Sequence, residues 1–393
     1  MKYLISYPFY YEFAWLMNRK KVIIPIFISA FVYLFSCQLY AGYADQLYSG
    51  YKDKKNSTTE NDNKVNIELF SGNTMGTTYH IKVVMQKDQE NQQKPLNKLS
   101  LHRLIEDKLK QVNQSMSVYM PESEISLFNR SDTNDVIKIS SDFHAVMVKA
   151  QQLYRLTEGA WDGTVKPLVD LWGFGTKEEI TSTPSSKEIK VYLQTTGFNQ
   201  IDFNVQNKTL QKKNRAVSLD LGSIAKGFGV DAVSAVLKSE GYLNFLVEIG
   251  GEVFASGEKT DAKPWIVGIS RPDKGGNINH ETEINSVYHA LPLKDKALAT
   301  SGDYRRFTTI NGKNYSHIID PVTGYPVDNG VVSASVIADN CTFADGLATA
   351  IMVMGPEKGI NLVNTFEDIE CLIVVQGKDG KLTDYKSKKF PLP

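Results

Sequence analysis

The stretch Leu219-Asp220-Leu221-Gly222-Ser223-Ile224-Ala225-Lys226-Gly227-Phe228-Gly229-Val230-Asp231 sets an acid, a hydroxyl and a lysine at three-residue intervals among glycines. It leads into an amphipathic pattern that predicts a helix over about 226–238, stopped by Gly241. Glycines let backbone approach a ligand, helix-terminal N–H groups face anions, and Lys226 brings positive charge, so the stretch suits a phosphate-bearing ligand. Glycine at a strand-to-helix turn also serves geometry alone. Neither nucleotide fingerprint, G-x-x-x-x-G-K-S/T or G-x-G-x-x-G at such a turn, is present.

Outward from this helix the elements alternate irregularly. Val65, Ile67 and Leu69 alternate as a strand, and after a Gly72-Asn73 turn residues 77–84 supply its hairpin partner, followed by a polar loop over 86–100. Leu101, Leu104, Ile105, Leu109 and Val112 recur with helical period, as do Phe143, Val146, Met147, Ala150, Leu153 and Tyr154. Ser140-Ser141-Asp142 offers N-cap chemistry to the second of these helices and Gly159 ends it. Strands are expected at 244–249, 265–269, 307–310 and 315–319, the last two joined by Asn311-Gly312, the strongest hairpin signal in the chain. A strand at 331–338, a helix at 343–354 closed by Gly355 and a strand at 371–375 complete the pattern. Strands and helices mix without a βαβ rhythm, which predicts an α+β fold.

At 393 residues the chain has ample material for a core. Lys+Arg and Asp+Glu balance at 44 each, so no global basic field exists and non-specific nucleic-acid binding is unsupported. The N-terminus is distinctive. Arg19-Lys20-Lys21 leads into an apolar run over 22–35 that ends in Leu34-Phe35-Ser36-Cys37, the pattern of a secretory signal with a lipoprotein cleavage box in which Cys37 becomes the lipidated residue. An uncleaved signal anchor is the alternative, and either one puts the rest of the chain outside the cytoplasm on a membrane. Met17 stands directly before the basic cluster as an alternative start. We expect a signal segment at 1–37, a polar tether at 38–64 and a catalytic domain at 65–393. Cys341 and Cys371 are expected as buried free thiols, and the scattered His and Cys residues show no zinc spacing.

Several residues have chemistry to offer. Asp345 and Thr349 fall one turn apart on one helix face, a spacing that suits a hard cation such as magnesium, although a helix-terminal Asp and a packed Thr need no metal. In Gly159-Ala160-Trp161-Asp162-Gly163-Thr164 an aromatic face and an acceptor sit together in a glycine-flanked loop, which suits a heterocycle, with Leu171-Trp172-Gly173 shortly after, although tryptophans serve more often as core packing. Met75 and Tyr119 are similar cases, and each is also compatible with plain packing. Gly250-Gly251 marks close backbone approach or a bulge. His317, in Ser316-His317-Ile318-Ile319-Asp320-Pro321, is a candidate general base, although a strand His near a turn is also compatible with a plain hydrogen-bonded role; Asp320 and a metal-bound carboxylate are the alternatives for the base.

Taken together, Thr74-Met75-Gly76-Thr77, Met116-Ser117-Val118-Tyr119, the Gly159 loop, Asp220 to Asp231, Gly250-Gly251, Thr300-Ser301-Gly302-Asp303-Tyr304, His317 to Gly324 and Asp345 to Thr349 resemble the ApbE family, the FAD:protein FMN transferases. The resemblance covers nearly everything from Val65 onward. It implies one large T-fold-like α+β domain that uses Mg²⁺ and FAD, and that attaches FMN through a phosphoester to Thr or Ser of a partner flavoprotein, a subunit of a membrane redox complex. It further implies that Met75, Tyr119, Ala160, Trp161, Asp162, Asp220, Lys226 and Ile319 contact FAD, and that Ser223, Asp345 and Thr349 surround the metal, Ser223 through backbone or hydroxyl oxygen. The expected location is the periplasmic face of the inner membrane, with a lipid anchor at Cys37. Trp161 and Glu248 depart from the Phe and the Asn or Asp more usual in the family at those places, which bears on ligand geometry. A Mg²⁺-dependent FAD pyrophosphatase and a non-catalytic flavin-binding lipoprotein are the alternatives.

Overall fold

Every residue of Val331–Ala338 is buried, which requires cover on both faces of its sheet. The computed structural model describes residues 66–85, 97–175, 180–272, 287–303 and 307–391. The expected signal segment, Cys37, the tether and Tyr304 lie outside the described residues. The strands are β1 (Asn66–Thr74), β2 (Thr77–Met85), β3 (Ile137–Lys138), β4 (Ile201–Asn204), β5 (Thr209–Lys212), β6 (Phe245–Ile249), β7 (Glu252–Ser256) and β8 (Trp265–Ser270). They continue as β9 (Val287–Leu293), β10 (Lys296–Gly302), β11 (Phe307–Ile310), β12 (Lys313–Ser316), β13 (Val331–Ala338), β14 (Glu370–Gln376) and β15 (Leu382–Lys386). An eight-stranded antiparallel sheet runs in the order β1-β2-β6-β7-β10-β13-β14-β15. The fold is α+β, as the sequence predicts.

Helices Lys98–Met116, Gly222–Ser239 and Cys341–Met354 cover one face, with Ser141–Leu156 packed against them, and Ala334, Val336 and Ala338 of β13 join the main core there. On the other face Trp265, Val267 and Ile269 of the β8-β9 ribbon pack with Val332 and Ile337. Val331 and Val332 reverse the parity of the later residues because the register shifts between Val331 and Ser333, and such a bulge flips the faces of a strand.

The Asn311-Gly312 hairpin forms with φ of 51° and 77°, the left-handed pair that a two-residue turn demands. Ser140 caps its helix by accepting from the Phe143 N–H at 3.2 Å. Several boundaries differ from expectation. The β1-β2 turn is Met75-Gly76, while Gly72 lies inside β1, where a Cβ would come within 2.7 Å of the Tyr79 ring. Gly250-Gly251 is the two-residue turn between β6 and β7. The expected 315–319 strand stops at Ser316, and the helix expected from 226 begins at Gly222.

That earlier start changes what Gly227 does. It sits inside the helix, and a Cβ there would lie 2.3 Å from the Cys341 carbonyl oxygen and 2.9 Å from Asp345 Cβ. Gly346 on the facing helix is equally confined, with Leu153 Cδ1 at 2.2 Å and Ile224 Cγ2 at 2.6 Å. These glycines serve helix-to-helix contact. Gly227→Ala forces backbone apart and is expected to cost about 1–3 kcal/mol, read as a lowered denaturant midpoint with unchanged slope; an unaltered midpoint would refute the contact.

Candidate functional site

All the sequence-predicted site residues border one cavity of about 660 Å³: Met75, Tyr119, Ala160, Trp161, Asp162, Asp220, Ser223, Lys226, His317, Ile319, Asp345 and Thr349. That volume lies within the range of small-molecule and cofactor sites, about 300–1,000 Å³.

Two helices supply its charged floor. Gly222–Ser239 carries Ser223 and Lys226, and Cys341–Met354 carries Asp345 and Thr349. Asp220 Oδ1 accepts from the Gly222 N–H at 2.8 Å and so closes the start of the first helix. Asp345 Oδ2 accepts from the Gly227 N–H at 3.0 Å. Thr349 Oγ1 lies 2.9 Å from Ser301 Oγ on β10. Lys226, expected at a phosphate, has its Nζ 3.0 Å from Glu252 Oε1 and 3.8 Å from Asp345 Oδ1. Its charge is therefore engaged by protein carboxylates.

The Gly159 loop behaves differently from its sequence reading. The Trp161 ring is 1% exposed and belongs to the main core, so it offers no open stacking face. Its indole N–H donates to Ser223 Oγ at 2.9 Å, which orients the serine. Asp162 Oδ1 accepts from both Thr164 N–H at 2.8 Å and Thr164 Oγ1 at 2.7 Å, so this carboxylate shapes the loop. Tyr119, 68% exposed, stands at the rim. Met75 holds a φ of 50°, unusual for a residue with a side chain.

His317 follows β12 directly and borders the cavity, its ring 6.4 Å from that of Phe174 in an edge-on arrangement. Asp320 is spent on its own turn: Oδ1 accepts from the Val322 N–H at 2.8 Å and Oδ2 from Thr323 Oγ1 at 2.9 Å. Ile319 packs with Leu168, Trp172, Phe174 and Ile189 in a small separate core, whose Trp172 N–H donates to the Gly324 carbonyl at 2.9 Å.

Burial opposes ionisation throughout the floor. Burial alone would lower the Lys226 pKa, but Asp345 and Glu252 outweigh it and hold the ammonium above its ordinary range. Burial pushes the Asp345 and Glu252 carboxyls up, against the downward pull of Lys226. Two acids thus share one base. Among the described residues no cluster of three or more His, Cys, Asp or Glu side chains is arranged to hold a metal. The oxygen-rich mixture of Asp345, Thr349 and Ser223 with a surplus buried carboxylate nevertheless fits a hard divalent cation, which needs only one or two carboxylates.

Glu252 and Ser301 were not singled out as site residues by sequence. Glu252 follows Gly250-Gly251 directly, and the acid after a two-glycine turn was the available signal. Cys341 and Cys371 are buried and free, as expected. No helix among the described residues is long and apolar enough to cross a membrane.

The ApbE family model matches residues 75–373. A relative in Vibrio cholerae, named FAD:protein FMN transferase, is 39% identical over 82% of this chain and 91% of its own length. One of the same name in Haemophilus influenzae is 37% identical over 81% of this chain and 89% of its own. The solved structure of the flavin transferase ApbE from Vibrio cholerae superposes with a TM-score of 0.73 at 38% identity, covering 83% of this chain and 98% of that one. The chain belongs to the ApbE family.

Asp162 gives the site a pH signature. Burial raises its pKa from 3.8 to about 6 despite the Thr164 hydrogen bonds. The folded state therefore binds this proton more tightly than the unfolded chain, so the contribution is complete below the unfolded value and is lost as pH rises through about 6. The loss amounts to about 3 kcal/mol at most. Asp162→Asn should flatten the fall in unfolding free energy between about pH 4 and pH 7; an identical slope in the variant would remove Asp162 as its source.

Proposed function

We propose that this chain is an FAD:protein FMN transferase that moves FMN from FAD to a Thr or Ser hydroxyl of a partner flavoprotein, with Mg²⁺ and release of AMP. The observation that carries this reading is the single cavity in which a lysine, two buried carboxylates and a threonine meet a rim bearing Met75 and Tyr119. FAD has matching parts: a pyrophosphate for the charged floor and a flat ring for the apolar rim.

In this reading Lys226 faces phosphate charge and Asp220 fixes the helix start beneath it. Mg²⁺ held by Asp345, Thr349 and Ser223 would polarise the phosphoryl oxygens and favour AMP as leaving group. His317 takes the proton from the acceptor hydroxyl as its oxygen attacks the phosphorus of the FMN half. One P–O bond forms to the acceptor and the P–O bond to AMP breaks, so no oxidant or reductant is consumed. Asp320 is disfavoured as the base because both its oxygens are committed to a turn.

We further propose that the enzyme works at the periplasmic face of the inner membrane, tethered by a lipid on Cys37, and that its acceptor is a subunit of a membrane redox complex. The basic cluster at 19–21, the apolar run at 22–35 and Cys37 support the location.

Incubation of the protein with FAD, Mg²⁺ and a Thr-bearing acceptor is expected to give covalent flavin on the acceptor, seen as a mass increase with one AMP released. Free FMN and AMP alone would identify a pyrophosphatase, and unchanged FAD beside an acceptor competent with another flavin transferase would overturn the reading. His317→Ala is expected to slow transfer about 10²–10⁴-fold with little change in FAD affinity. Wild-type transfer by that variant would take the base role from His317.

A further inference from the structure

Glu252 raises a question that the proposed reaction leaves open. It begins β7 immediately after the Gly250-Gly251 turn, whose φ values of 59° and 100° aim the chain back along the sheet. The residue is 2% exposed and borders the cavity. Its Oε1 accepts from Lys226 Nζ at 3.0 Å, whereas its buried Oε2 has no hydrogen-bond partner. Leaving such an atom unsatisfied costs on the order of 1–3 kcal/mol. A simple ion pair with Lys226 explains Oε1 and leaves Oε2 unexplained. Protonation does not repair the deficit, since an Oε2–H would become a buried donor without an acceptor.

The neighbourhood supplies the rest. Lys226 Nζ lies between Glu252 and Asp345, with Asp345 Oδ1 at 3.8 Å. Asp345 Oδ2 is already held by the Gly227 N–H. When both are ionised, two buried carboxylates around one ammonium leave one negative charge in excess, in a place where water cannot compensate it. A divalent cation would balance both acids. The Lys226 stem passes Gly250, where a Cβ would lie 3.2 Å from Lys226 Cδ, and its side chain is 29% exposed. The glycine makes way for this flexible stem, and the side chain borders the cavity.

We propose that Glu252 is a second carboxylate of the divalent-cation site, and that Lys226 is a built-in place-holder between Glu252 and Asp345 which yields to the cation and turns toward the FAD phosphates. The inference rests on the Mg²⁺-dependent reading given above and adds a residue and an exchange step to it. Mg²⁺ commonly keeps one or two carboxylates and completes its shell with water and substrate phosphate, so Asp345 with Glu252 stays within its habits.

The test is a titration of chelator-treated protein with Mn²⁺ in the absence of FAD, followed by electron paramagnetic resonance of the free ion, with circular dichroism to check folding. Glu252→Gln and Asp345→Asn should each weaken Mn²⁺ binding at least tenfold, whereas Lys226→Met should tighten it several-fold because a competing cation is gone. Wild-type affinity in Glu252→Gln, with loss in Asp345→Asn, would reduce Glu252 to a counterion of Lys226 and overturn this inference alone. Absence of Mn²⁺ uptake by the wild type, or indifference to Asp345→Asn, would overturn the Mg²⁺ reading beneath it as well. Should Glu252→Gln fail to fold, Lys226→Met decides: unchanged or weaker binding rejects the place-holder.

Discussion

The close crossing of the Gly222–Ser239 and Cys341–Met354 helices is the constraint on which the site depends. Backbone meets backbone at Gly227, and the Asp345 carboxylate reaches across to the Gly227 N–H. The same pair is locked a turn further on, where Asp231 accepts from the Cys341 and Thr342 N–H groups, each at 2.8 Å. A carboxylate on one helix thus caps the other. Such bonds satisfy orphan donors and favour negative charge at a helix N-terminus. With this crossing in place, Ser223 and Lys226 on one helix stand opposite Asp345 and Thr349 on the other without any loop having to hold them.

How far this was legible in the sequence follows from what each residue answers to. Asn311-Gly312, Ser140 and Gly355 act through local backbone chemistry, and they do in the fold what their types require. β7 and β10 gave no such signal: β7 is buried at every position, so it shows no alternation, and β10 is built largely from small residues. Gly72-Asn73 looked like a turn because glycine and asparagine favour turns, yet the constraint on Gly72 is the Tyr79 ring lying against it. Tertiary contact overrode local propensity there.

The site divides in the same way. Asp220 to Lys226 and Asp345 to Thr349 could be paired by pattern, and the fold brings them to one cavity. Which partner each group takes could not be read locally. Trp161 reads either as a ring-binding face beside an acid or as core packing, and the fold uses its N–H on Ser223 and its face on the core. Lys226 reads as a phosphate-binding group, but two carboxylates distant in sequence claim it. Glu252 lies 26 positions beyond Lys226, on a strand placed by the β6-β7 turn, and only the sheet register brings them together.

The arrangement separates rigid from accessible parts. The carboxylates Asp345 and Glu252 sit on buried helix and strand positions, where their geometry is fixed by packing and where low polarity makes each charge strong. His317, Tyr119 and Pro321 border the cavity from turns and strand ends, and Val322 beside Pro321 is 66% exposed. The proposed transfer, which joins a small ligand to a macromolecular hydroxyl, would need this asymmetry. The ligand's phosphates must be held without slack, which a helix crossing achieves, while the hydroxyl arrives on a surface too large to be enclosed. In the proposed transfer, His317 on the short segment after β12 would meet that hydroxyl as base without disturbing the floor. On the proposed reading, substitutions in the two helices would therefore act on folding and ligand retention together, whereas those on the rim would act on the approach of the acceptor.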